Sequence, residues 1–109
     1  VVKMPLLISY FNLKDGVSEE EFVKKTKESF GYLEGKVEGL GSMKLYQHYL
    51  FGANPTLYQT RIEFKDYGTW DRYLAFFEKD AKAARLRQEL LNLIDLKTNY
   101  DEVVREIPL

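Results

Sequence analysis

The stretch LLISYFNL, within residues 4–13, constrains the fold more than any other part of the chain. It reads as a strand with apolar residues on both parities. Leu6, Ile8 and Tyr10 point one way, and Leu7, Ser9 and Phe11 the other. Such a strand is expected in the middle of a sheet and covered on both faces. The chain must therefore supply or recruit a layer on each side.

Asp15-Gly16 supplies a turn, and a strong helix start follows. Ser18 with Glu21 three residues on is a capping box, Glu19 and Glu20 suit the positive end of the helix dipole, and Val17 can staple onto Phe22. Phe22, Thr26, Phe30, Leu33 and Val37 then share one face. Gly31, Gly35 and Gly39 recur every fourth residue. They mark a weakening C-terminal half and a stop rather than a groove for another backbone, because each mid-helix glycine costs about 1 kcal/mol.

Two further strands flank Gly52-Ala53-Asn54-Pro55, whose proline forbids a continuous strand. Setting Leu50 opposite Leu57 pairs His48 with Gln59, Tyr46 with Arg61 and Lys44 with Glu63. It pairs Tyr49 with Tyr58, Gln47 with Thr60, Leu45 with Ile62 and Met43 with Phe64 on the other parity. Asp66 or Thr69 can cap a second helical region carrying Trp70, Leu74 and Phe77. A phase shift near Lys79-Asp80 predicts a kink there, with Asp80 recapping a stripe of Leu86, Leu90, Leu93 and Ile94. Residues 98–107 read as a last strand before Pro108.

The order is β-α-β-β-α-β over one domain, residues 1–109. This is an α+β, ferredoxin-like arrangement: a four-stranded antiparallel sheet, first and third strands central, helices on one face. Met43, Leu45, Ile62 and Phe64 are expected beneath the helices. Leu7, Phe11, Leu50 and Leu57 are expected on the second face with Lys44, Tyr46, His48, Gln59, Arg61 and Glu63.

Composition narrows the function. A net charge of −1 offers no general attraction to nucleic acid or anionic lipid. The third strand, LYQTRIEF, lacks the basic-glycine-aromatic signature of RNA-recognition domains that share this order. With no cysteine and one histidine, a Cys-rich or multi-His metal site cannot form within one chain, and no metal or cofactor is expected. No apolar run approaches a membrane span, and VVKMPLL is too short for the apolar core of a signal peptide. A cytoplasmic location is expected, and residues are expected to precede Val1.

The segment VEGLGSMKLYQHY, a helix end followed by glycine and a strand, is similar to the join after the first helix of dimeric α+β barrel proteins. The run YGTWDRYLAFFEKDAKAARLRQELLNLI leading into YDEVVREI resembles the same superfamily. That superfamily includes antibiotic-biosynthesis-type monooxygenases, haem-degrading enzymes, muconolactone isomerases and the EthD-like and NIPSNAP-like groups. The resemblance covers nearly the whole chain and is one of layout. It implies a homodimer in which two sheets pack through the faces opposite their helices.

On that second face Tyr46, His48 and Arg61 are the candidate catalytic residues, and Lys44, Gln59 and Glu63 the candidate substrate-binding ones. A histidine and a tyrosine can exchange protons near neutral pH, and an arginine can hold a carboxylate or enolate-like oxygen. The set suits a cofactor-independent monooxygenase or isomerase acting on a small aromatic or lactone-like molecule. The alternative is a non-catalytic dimeric binding module, in which the same residues form stabilising cross-strand pairs. Haem degradation is not expected, since neither helix carries a histidine. Trp70 reads as core, Arg85, Arg87 and Glu89 as a solvated, ion-paired helix face, and Tyr100-Asp101-Glu102 as an edge strand protected by charge.

Overall fold

The computed structural model describes residues 5–49 and 56–109. Its elements are β1 (Leu6–Leu13), α1 (Glu19–Leu33), β2 (Leu40–Gln47), β3 (Tyr58–Phe64), α2 (Tyr67–Lys79), α3 (Ala81–Leu91) and β4 (Ile94–Val104). The strands form one antiparallel sheet in the order β2-β3-β1-β4, so the first and third strands are central as expected.

Local chemistry sets the helix boundaries. Ser18 accepts a hydrogen bond from the Glu21 N–H at 3.1 Å and begins α1. The helix ends at Leu33 rather than running on to Val37, because the chain turns left-handed at Gly35, φ 76°. Val37 is buried all the same. Asp66 caps α2 through the Thr69 N–H, and Asp80 caps α3 through the Ala83 N–H, both at 2.9 Å. Asp80 is the single extended residue that breaks the second helical region in two.

All three helices cover one sheet face. Leu7, Ile62 and Phe64 pack with Leu33, Val37, Tyr73 and Ala83, and Phe11 and Tyr58 pack with Phe22. Leu7 and Phe11 therefore lie under the helices, opposite to the sequence expectation, while Leu6, Ile8 and Tyr10 take the open face. A strand apolar on both parities carries no internal mark of which side is which, and pairing with β3 decides it: Leu7 stands opposite Ile62 and Ile8 opposite Arg61. Phe11, Phe22 and Phe64 are each at most 2% exposed, so truncating one to alanine costs about 3–5 kcal/mol.

The β2–β3 register also differs. Tyr46 faces Gln59, Lys44 faces Arg61, Leu45 faces Thr60 and Met43 faces Ile62, two residues from the expected alignment. A two-residue slip keeps every side chain on its face, so the burial pattern that argued for the first alignment serves the second equally. Leu50 and the Gly52–Pro55 connection lie outside the described residues.

The last strand starts four residues earlier than residue 98, at Ile94, which pairs with Leu13 and is buried against Phe11 and Phe22 instead of extending the helix stripe. Between the Asn12–Asp95 and Tyr10–Tyr100 pairs, residues 96–99 of β4 bulge opposite Phe11 alone. The bulge is bonded back to β1: the Asn12 N–H donates to Thr98 Oγ1 at 2.8 Å, and Asn99 Nδ2 donates to the Tyr10 carbonyl at 3.0 Å.

Candidate functional site

The open face carries the residues singled out from the sequence. One row runs Tyr46–Gln59–Tyr10–Tyr100 across the four strands, and the next runs Lys44–Arg61–Ile8–Glu102. Tyr10 and Tyr100 stack with centroids 4.6 Å apart, and the Tyr10 hydroxyl donates to Glu102 at 3.2 Å. Burial, then that bond and the Glu102 charge, raise the Tyr10 pKa above its ordinary value, with Arg61 opposing.

Three of the six expected site residues meet in one directional chain, and a fourth, Tyr46, lies beside it. Arg61 Nε donates to Gln59 Oε1 at 2.6 Å, the Gln59 amide donates to His48 Nε2 at 2.8 Å, and His48 Nδ1 lies 2.6 Å from the Thr56 carbonyl. A carbonyl can only accept, so Nδ1 carries the proton. The amide nitrogen can only donate, so Nε2 offers its lone pair. This network assigns His48 as the neutral Nδ1–H tautomer. The Arg61 guanidinium also lies 4.8 Å over the Tyr46 ring. Lys44 and Glu63 share the face but stand outside this chain: Lys44 faces Arg61, and Glu63 accepts from the Ser42 hydroxyl.

A second constellation lies on the other side of the sheet. A cavity of about 160 Å³ sits between the central strands and the helices. Its floor is polar where the row beneath the helices is otherwise apolar, for Ser9 of β1 stands between Thr60 of β3 and Asp101 of β4. Tyr73 reaches in from α2, its ring held by Phe64, Trp70 and Phe77 at centroid distances of 5.6, 6.0 and 5.0 Å. Thr60 and Tyr73 are each 8% exposed. None of the Ser9, Thr60 and Tyr73 hydroxyls has a hydrogen-bond partner among the described residues. Among the described residues the side-chain oxygen shut off from solvent without a partner is Thr26 Oγ1, whereas the three cavity hydroxyls keep their surface open to the cavity, where a ligand or water can bond them.

Arg87, Asn99 and Asp101 complete the lining. Burial pushes the Tyr73 phenol above its ordinary value; the nearby Arg87 charge draws it down and that of Asp101 adds to the rise.

Sequence reasoning assigned none of these residues to a site. Trp70 was expected in the core, and it packs there while also lining the cavity. Arg85 forms the expected i,i+4 ion pair with Glu89 at 3.1 Å, whereas Arg87 lies 4.7 Å over the Phe77 ring and contributes to the cavity wall. The available signal was Ser9, a hydroxyl in the middle of an apolar central strand.

Among the described residues, no group of three or more His, Cys, Asp or Glu is placed to hold a metal ion, and no helix is long and apolar enough to cross a membrane.

No family model matches the chain, and no curated protein matches it. Solved structures do. A candidate antibiotic biosynthesis monooxygenase from Bordetella bronchiseptica superposes with a TM-score of 0.71 at 12% identity, over 97% of this chain and 99% of that one. A dimeric ferredoxin-like protein from Jannaschia sp. CCS1 gives 0.71 at 11% identity, over 94% and 99%. Hydroxynitrile lyase from Passiflora edulis gives 0.64 at 13% identity, over 100% and 96%. At such identities the likeness is one of fold. The resemblance to the dimeric α+β barrel superfamily stands at that level, and the chain has the ferredoxin-like α+β fold.

Proposed function

We propose that this protein is a cytoplasmic homodimer that binds a small organic molecule, about one ring in size, in the cavity between its sheet and helices. The observation that carries the proposal is the convergence of three unpartnered hydroxyls, from Ser9, Thr60 and Tyr73, on one cavity of about 160 Å³. A ring bearing hydroxyl or carbonyl oxygens satisfies hydroxyls that both donate and accept, while Phe30 and Trp70 supply apolar wall. The open sheet face is the proposed dimer contact. Tyr46, Leu57 and Tyr100 leave 39%, 37% and 42% of their surface exposed there, and dimeric proteins occur among the structural neighbours.

The proposed chemistry is proton transfer on the bound ring, of the cofactor-independent monooxygenase or isomerase type. Asp101 would accept a proton, the neutral Tyr73 phenol would donate one, and Arg87 would hold the oxyanion. A second placement of the chemistry, on the open face, is favoured by the chain Arg61–Gln59–His48, which leaves His48 Nε2 unprotonated and bonded to a Gln59 amide that a substrate would displace. There His48 would be the base, with Tyr46 and Arg61 acting on the oxyanion and Lys44, Gln59 and Glu63 binding substrate.

The test is thermal shift against single-ring phenols, with p-nitrophenol as reference probe. A ligand at about 100 times its Kd stabilises the folded state by about 2.7 kcal/mol. Ser9→Val with Thr60→Val is expected to abolish that shift, and a shift unchanged in the double variant sinks the cavity assignment. Once a substrate is in hand, full turnover in His48→Ala removes His48 from the chemistry.

A further inference from the structure

The cavity has a neighbour across a thin wall. On the outside, α2 and α3 leave a groove of about 430 Å³ between Leu74, Phe77 and Glu78 on one helix and Ala84 and Gln88 on the other. Arg87 and Leu91 line this groove and also line the inner cavity, so the same two side chains separate one space from the other.

Arg87 is suited to move. It is exposed and forms no ion pair among the described residues, and the contact described for its guanidinium is the Phe77 ring at 4.7 Å. Its neighbour Arg85 shows the contrast, being tied to Glu89 at 3.1 Å. An exposed cation–π contact is weak and lacks the directionality of a hydrogen bond, so a rotamer change at Arg87 breaks little. The helices on either side meet at Asp80, whose carboxylate accepts from the Tyr32 hydroxyl and from the Ala83 N–H, so the junction is held and the movable part is the Arg87 side chain.

We propose that ligands reach the cavity through the α2–α3 groove and that Arg87, resting on Phe77, is the gate. The inference rests on the cavity being the ligand site. With a neutral ligand, which gives Arg87 no oxyanion to hold, a gate differs from a binding contact in its kinetic signature: it changes association and dissociation rates together, because it alters the path and not the end states.

Trp70 is the sole tryptophan and lines the cavity, so its emission reports occupancy. The probe is p-nitrophenol in a mildly acid buffer, where it is un-ionised and the Arg87 charge does not bias its binding. Stopped-flow quenching of Trp70 gives both rate constants. Glu78→Cys places one thiol in a cysteine-free chain, at the groove lip, where a bulky maleimide can be attached.

The labelled protein is expected to show association and dissociation rates both reduced about tenfold with Kd held, and Arg87→Ala to raise the association rate several-fold. Saturable quenching with association rates unchanged by both the label and Arg87→Ala overturns the route while leaving the cavity as the binding site. Absence of saturable quenching in the unmodified protein overturns the cavity assignment, and the gate with it.

Discussion

Tyr73→Phe is expected to make the protein more stable and a poorer binder. The substitution removes one oxygen and keeps the ring, whose packing against Phe64, Trp70 and Phe77 is the same for either side chain. The hydroxyl belongs to a residue 8% exposed, opens onto the cavity rather than into closed core, has no partner among the described residues, and is held neutral by the burial of its residue. An unpaired buried hydroxyl costs about 1–3 kcal/mol, and the polar cavity beside this one places it near the low end, so a gain of about 1 kcal/mol is expected. For a domain of this length that is about 4 °C in Tm. Losing a hydrogen bond to ligand weakens binding by about 1 kcal/mol, or roughly fivefold in Kd. Urea denaturation followed by Trp70 emission gives the first quantity, and p-nitrophenol titration the second. The opposite result, destabilisation by about 1 kcal/mol with Kd unchanged, would mean that the hydroxyl is bonded within the fold and serves no ligand.

Light scattering is expected to return a mass near twice the 12.8 kDa chain, and Tyr100→Lys on the open face to return the monomer value; a monomer at micromolar concentration in the unsubstituted protein refutes the dimer. Stability should fall on acidification through the carboxylate range. The Thr69 N–H and then its hydroxyl hold the Asp66 pKa below its ordinary 3.8, the Ala83 N–H does the same for Asp80, and Lys25 lowers Glu89 from 4.5. Each folded pKa lies below the unfolded one, so the contribution is complete above the ordinary values and is lost as pH drops through the folded ones. Urea midpoints flat down to pH 2 would contradict those pairings. Two glycines at similar positive φ should respond differently to alanine. Gly16→Ala, at φ 85° with open space around the added methyl, should cost about 1 kcal/mol of backbone strain. Gly39→Ala, at φ 88° with its methyl driven into the buried Thr69 Oγ1, should cost about 1–3 kcal/mol more; equal losses in urea would show that the Thr69 contact yields freely.

Features fixed by neighbours in sequence are legible in the sequence alone. Ser18, Asp66 and Asp80 each cap a helix through an N–H three residues ahead, and the break at Asp80 showed as a phase shift in the apolar stripe. The order of elements followed, and with it the sheet with β1 and β3 at its centre. Features fixed by pairing between strands were legible only up to parity. Tyr46, His48, Gln59 and Arg61 share a face under either alignment of β2 with β3, so their grouping survived a register two residues off. The His48–Gln59 pairing survived as well, now as a diagonal hydrogen bond between offset rows.

The cavity needed one step more, because Ser9, Thr60, Tyr73, Arg87 and Asp101 come from five different elements. Assigning β1 the wrong way round made that step impossible: with Leu7 and Phe11 placed on the open face, Ser9 went with them, and a serine on an open face explains itself. Set beneath the helices, the same serine is an unpaired hydroxyl where an apolar side chain would be worth more, and Thr60 beside it repeats the anomaly. Two such positions on adjacent central strands lower the stability of a core unless something else satisfies them. The proposed ligand would supply that satisfaction, with the Tyr73 hydroxyl lining the same cavity, and on the proposed reading the two positions exchange stability for recognition.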